Sequence, residues 1–274
     1  MPDRRDTLPP LDRRALLAAL AVAAPATALA RPVSPEPARV RLHGRPITMV
    51  DCTHKLTKAF DFTPGTQRIG FEPLRGSGED AGMLLNRVQL VEHTGTHIDA
   101  PRHFDPAGKS LGEIPLMDLV VPLARIDLRR KLAQSRNATV DLADIRAWEA
   151  EHDRLPDNCC VAMWSGWSPL EELARMPSLP PAQRYASPGF SVEAVRFLAA
   201  ERRVRGIAVD TMSLDTGGSA PHYPAHGEWL RSGRWGVEGL TNLERIPEAG
   251  ALLIVAAAPL EGATGLPVRA IALY

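Results

Sequence analysis

The sequence is poor in the features that would mark several functional classes. Only 3 of its 274 residues are cysteine. Cys159 and Cys160 are neighbours, where a bridge is strained, and Cys52 pairs with one of them only if the fold brings them together. No CxxC or zinc-finger spacing occurs, so the thiols read as buried and free. Charge of one sign is also missing: Lys plus Arg is 32, Asp plus Glu is 32, and the net charge is zero. Without a basic excess or a run of like charge, nothing points to a nucleic-acid partner. Past the N-terminus no apolar run approaches the length of a membrane span. What is there, 45 % hydrophobic and 23 % charged residues, is the balance of an ordinary globular chain with a sizeable core.

The N-terminus has a different character. Arg13 and Arg14 precede the apolar run 15–24, and a small-residue stretch ends in Ala28-Leu29-Ala30. That is the charged, apolar, A-x-A order of an export signal, with an arginine pair like that of a twin-arginine leader. Residues 1–30 are therefore expected to direct export to a bacterial periplasm, with a mature chain starting near Arg31 and no membrane association afterwards. Residues 31–46, rich in Pro, Arg and Val, read as a tether. A single domain is expected from 47 to 274.

Within that domain, strand-length apolar runs lie at Val120–Asp127, Cys160–Trp164, Gly206–Thr211 and Leu252–Ala256. Asp141 and Ser191 can cap helices running to about Glu151 and past Ala199, each with apolar residues at helical spacing. Helices interspersed with strands predict an α/β domain. Residues 168–190 carry five prolines and read as a long loop.

The chemistry concentrates in His93-Thr94-Gly95-Thr96-His97-Ile98-Asp99-Ala100-Pro101-Arg102-His103. On a helix, Asp99 would lie about 120° or more away from both His93 and His97. In extended chain every spacing is even, so all four polar side chains share one side until Pro101 bends the backbone. The preceding Asn86–Glu92 reads as strand, so the cluster is expected at a strand end and in the following turn, with Gly95 letting His93, His97 and Asp99 converge. Imidazole and carboxylate donors together suit Zn or Mn, less well Fe or Ni. Three such ligands leave a divalent ion open to water and substrate, and a carboxylate can bridge two ions. His103 reads either as a further ligand or as a proton carrier. A second cluster, His222 and His226 followed by Glu238, can complete a second metal site or form a proline-rich surface loop. Pro224 between the two histidines argues against a helical pair.

The run from His93 to Phe104 resembles the signature of the cyclase-type metal-dependent hydrolases, the family of bacterial kynurenine formamidase and isatin hydrolase. Four further segments resemble that family in the same order: Asp51–Leu56, Gly206–Asp215, Pro224-Ala225-His226 with Val237–Leu243, and Gly265–Ala270. The resemblance covers about 47–274. It implies a swivelling β/β/α-type single domain with a mixed central sheet or partial barrel, usually oligomeric. It makes His93, His97 and Asp99 ligands of one metal, His226 and Glu238 ligands of a second, and His103 the proton-transferring residue, with one or two Zn or Mn ions per chain.

The expected activity is hydrolysis of a linear or cyclic amide, arylformamide- or lactam-like, by metal-activated water. A lyase or cyclase acting on a carbonyl compound, and a non-catalytic periplasmic binding protein, are the competing readings. Phe60, Phe62, Trp164 and Tyr223 are candidates to line a pocket for a small aromatic substrate.

Overall fold

The computed structural model describes residues 36–57, 69–74, 84–167, 178 and 185–274. The leader, Phe60, Phe62 and most of the proline-rich stretch 168–190 lie outside them. Ser34–Tyr274 forms one compact unit.

Its frame is a ten-stranded mixed sheet in the order β1-β2-β14-β12-β6-β8-β10-β11-β5-β13. The strands are β1 (Ala38–Leu42), β2 (Arg45–Asp51), β5 (His97–Asp99), β6 (Val120–Asp127), β8 (Cys160–Trp164), β10 (Gly206–Val209), β11 (Trp235–Glu238), β12 (Ala251–Ala256), β13 (Gly265–Pro267) and β14 (Arg269–Leu273). The remaining strands pair off as two small sheets, β3 (Gly70–Leu74) with β4 (Leu85–Gln89) and β7 (Thr139–Val140) with β9 (Gly189–Phe190). β6, β8, β10 and β11 run parallel. β11, β5 and β13 pair antiparallel.

The expected tether gives way to structure at its end. Residues 38–51 form an antiparallel hairpin in which Leu42 faces Arg45 across a two-residue turn. His43 and Gly44 both have positive φ, 48° and 80°, the geometry whose twist matches paired strands. The strand alternates Arg39 and Arg41 with Val40 and Leu42, and an exposed, arginine-bearing edge resists pairing with other chains.

The alternation of side chains along the strands builds two cores. Leu123, Cys160, Ala162, Ala208, Val237, Ile98 and Leu253 face one side. Their sequence neighbours Ala124, Val161, Met163, Ile207 and Val209 face the other, where three helices cover them. These are α1 (Leu142–His152), α2 (Val192–Glu201) and α3 (Pro224–Arg231). The caps read from sequence are in place. The Asp141 carboxylate accepts from the backbone N–H groups of Ala143 and Asp144, and the Ser191 hydroxyl accepts from Ala194. Ile145 and Trp148 on α1, and Val195 and Leu198 on α2, are buried against the sheet. Burial of side chains this size stabilises by about 1.5–3 kcal/mol each. All three cysteines are free and buried, and burial pushes the thiols of Cys52 and Cys159 up to about 12.

Candidate metal centre

Two short strands near one edge of the sheet place the candidate ligands. β5 pairs with β11 so that Glu238 lies opposite His97 and Gly236 opposite Asp99. Since Ile98 and Val237 point into the core, His97, Asp99 and Glu238 must all point to the other face. On its second side, β5 sets Gly265 opposite Asp99. Asp99 therefore has a glycine on both flanks. A Cβ on Gly265 would lie 2.6 Å from Cε1 of His93, and one on Gly236 would lie 2.6 Å from Cδ1 of Leu214. The glycines give the neighbouring side chains their room.

The even-spacing argument holds for His97-Ile98-Asp99 but not for its setting. The upstream strand ends at Gln89 and belongs to the separate β3–β4 hairpin. A loop then carries His93, and Gly95 takes φ 68° to swing the His93 ring back over Asp99. Pro101 starts the single helical turn Pro101–His103 that presents His103.

The side chains converge tightly. Nδ1 of His93 is 2.7 Å from Oδ1 of Asp99. Nε2 of His97 is 3.3 Å from the same oxygen and 3.4 Å from Oε2 of Glu238. Nε2 of His226 lies 2.8 Å from Oε1 of Glu238 and 3.6 Å from Oδ2 of Asp99, beyond hydrogen-bond length. His103 stacks on His93 with ring centroids 3.9 Å apart. Asp99 is common to two clusters of donor atoms, one with His93 and His103 and one with His97 and Glu238.

His222 and His226 do not form a helical pair, as Pro224 between them indicated, because Pro224 begins a helix that only His226 enters. Proline at the first helical position forfeits an N–H that has no intrahelical partner anyway. His226 follows in the first turn of α3 and points at the sheet, while His222 stays outside the helix and exposed.

Each histidine is held by its other nitrogen. His97 donates from Nδ1 to the carbonyl of Gly95 at 2.9 Å. His226 donates from Nδ1 to Oδ2 of Asp215 at 2.6 Å. Nε2 of His93 lies 3.1 Å from the hydroxyl of Thr264, which in turn donates to Glu92. Such partners fix the ring orientation and the nitrogen left to bind a metal. The spacing arguments found none of these supports, because Asp215 and Thr264 reach the site from distant loops and Glu92, although next to His93, acts through Thr264.

The electrostatics fit a cation. Burial opposes ionisation of Asp99, yet the surrounding imidazoles of His226, His93 and His97 outweigh it and hold the carboxyl well below its ordinary value. Burial likewise opposes charge on His97, but Asp99 and Glu238 push it up to about 9. His226 is raised well above 6.5 against its burial by Asp215, Asp99 and Glu238. Oδ2 of Asp99, with the residue only 1 % exposed, has no hydrogen-bond partner. A buried carboxylate oxygen costs several kcal/mol unless something positive meets it. The donor set of imidazoles and carboxylates suits a divalent ion, so the cluster is compatible with metal binding.

The centre opens into a cavity of about 580 Å3 walled by Phe104, Tyr185, Tyr223 and Met212, with His103, His226 and Glu238 at its base. Tyr223, singled out from sequence, lies in that wall. Trp164 does not. It shares strand parity with Cys160 and Ala162 and so packs on the opposite face of the sheet, with the guanidinium of Arg129 over its ring at 3.7 Å and that of Arg125 at 4.4 Å. It borders a separate cavity of about 190 Å3 with Trp167 and Asp210.

Residues 50–216 match the model of the Cyclase family. The chain belongs to that family. Over 244 residues it is 29 % identical to isatin hydrolase of Roseibium aggregatum, covering 83 % of this chain and 92 % of the relative. It is 26 % identical to kynurenine formamidase of Geobacillus thermodenitrificans over 224 residues, covering 81 % and 95 %. Among solved structures it is similar to isatin hydrolase A of Labrenzia aggregata bound to benzyl benzoate, with a TM-score of 0.69, 30 % identity and coverage of 83 % and 93 %. The shared fold is the mixed α/β domain built on a large central sheet that the motifs implied.

Proposed function

We propose that this chain is a metal-dependent hydrolase of a linear or cyclic amide, arylformamide- or lactam-like. The observation that carries the reading is the Oδ2 of buried Asp99, which no hydrogen bond reaches, beneath an aromatic-walled cavity and between two clusters of imidazole and carboxylate donors. The names of the two relatives, an isatin hydrolase and a kynurenine formamidase, point to amide substrates carrying an aromatic ring.

In this reading His93, His97 and Asp99 hold one ion, Zn or Mn, and His226 and Glu238 hold a second where two are bound. Such an ion supplies a Lewis acid for the carbonyl and a more acidic water. The chain's own residues do the rest. Tyr223 and Phe104 sandwich a planar ring. Both already pack against His226, at centroid distances of 5.8 and 5.2 Å. His103 opens onto the cavity. Partial enclosure, with the neighbouring imidazoles, lowers its pKa below the ordinary value, so it is neutral near pH 7 and able to accept a proton. It takes one from the attacking water as the C–O bond forms, and returns it to the nitrogen as the C–N bond breaks.

The chain is further read as a periplasmic enzyme, exported by its first thirty residues and assembled as a homo-oligomer. It takes a small-molecule substrate and has neither a nucleic-acid partner nor a membrane anchor. No described helix is long and apolar enough to cross a membrane. Two experiments test the reading. Turnover of formanilides, lactams and small esters by metal-loaded protein should favour the amides; hydrolysis of esters alone would overturn the substrate class. N-terminal sequencing of protein from its host should begin near Arg31, and full-length cytoplasmic chain would overturn export.

A further inference from the structure

The loop between β10 and α3 carries, at Asp215, a carboxylate used twice. Asp215 is 1 % exposed. Its Oδ1 accepts from the backbone N–H of Ala225 at 2.7 Å, and its Oδ2 from that of His226 at 2.9 Å. The same Oδ2 accepts from Nδ1 of His226 at 2.6 Å. Tyr223 at the helix N-cap makes no side-chain bond to the helix, so Asp215 does the capping from outside. A capped helix needs only a backbone contact. Here the third bond fixes the imidazole as well, turning Nε2 toward Glu238 and Asp99. The flanking backbone ties this loop to a ligand too, because the N–H of Leu214 donates to Oε1 of Glu238 at 2.9 Å.

We propose that Asp215 is a positioning residue for the second half of the metal centre. It selects Nε2 as the metal-facing nitrogen of His226, and the 214–215 turn sets His226 and Glu238 at one spacing from Asp99. The inference rests on the metal-dependent reading. It goes further in assigning the affinity of the His226–Glu238 half to a residue that touches neither metal nor substrate. An amide in place of the carboxylate keeps the volume but presents an NH2 group to Nδ1 or to a backbone donor, so the ring is no longer held in one tautomer. Loss of a carboxylate behind a histidine ligand typically costs about 10–100-fold in metal affinity.

The test uses metal-stripped mature protein titrated with Co2+, whose visible spectrum reports ligand geometry. Asp215→Asn should weaken Co2+ binding about 10–100-fold and alter the spectrum. A residue that only caps the helix would lower the melting temperature and leave affinity and spectrum unchanged, which would overturn the proposal. Wild-type protein that binds no Co2+ would defeat the metal reading itself, a separate failure. Should Asp215→Asn not fold, long-range 1H–15N spectra of Zn2+-loaded wild-type protein decide, with His226→Gln used to assign the ring. Protonated Nδ1 and an unprotonated, metal-facing Nε2 are expected; the reverse tautomer overturns the proposal.

Discussion

Protons and metal compete for the same imidazoles, and this should show as a pH-dependent stability that metal removes. Without a cation, Asp99 and Glu238 are met by protonated histidine. His97 is 2 % exposed, and its pKa rises from 6.5 to about 9. A folded-state value above the unfolded one means stability that is fully present below about pH 6.5 and lost as pH climbs through about 9. A tenfold change in proton affinity is worth about 1.4 kcal/mol, so His97 alone contributes about 3 kcal/mol over this window. His226 moves in the same direction and adds to it. For a domain of this size, 1 kcal/mol moves the melting temperature by about 2–4 °C, so a fall of about 6–12 °C is expected. The assay is differential scanning calorimetry from pH 6 to 9.5 on chelator-treated and Zn2+-loaded protein. The treated protein should fall and the loaded protein should hold. Parallel curves for the two forms would refute the reasoning, because then no proton in this window occupies the place of the metal.

Three further outcomes follow from the geometry. His103→Ala should keep its metal, measured by elemental analysis, while turnover falls about 10²–10⁴-fold, the usual share of a general acid–base; a metal-depleted variant would make His103 a ligand. Gly265→Ala places a methyl 2.6 Å from both the His93 ring and the carbonyl of Ile98, so it should cost about 1–3 kcal/mol by calorimetry and reduce metal content together. Asp210 is buried under hydrogen bonds from Ser165 and Gly166, and burial pushes its carboxyl up to about 7. Its contribution is fully present below about pH 4 and lost as pH rises through about 7. Asp210→Asn should therefore flatten the stability profile over that range by up to about 4 kcal/mol, whatever constant offset the lost acceptor introduces.

Much of the fold was legible because local signals agree with it. β6 and β8 coincide with their apolar runs, and α1 and α2 begin where Asp141 and Ser191 cap them. His97 and Asp99 were legible because their even spacing suits extended chain, and β5 is that chain, whereas His93 and His103 join them from a loop and a helical turn. What stayed hidden is non-local. Gly236 and Gly265 matter because two strands distant in sequence flank Asp99. Asp215 is an ordinary loop carboxylate until α3 docks above it. Trp164 looked like a pocket aromatic, but its strand parity turns it to the other core. Pro224 was ambiguous because proline both interrupts helices and starts them, and here it starts one.

The most direct measurement follows amide hydrolysis in 18O-labelled water by chelator-treated protein before and after a divalent metal is restored. Turnover should vanish with the metal and return with it, and the product carboxylate should carry one solvent oxygen. Full activity without metal, or a product that takes up no solvent oxygen, would contradict a metal-dependent hydrolase.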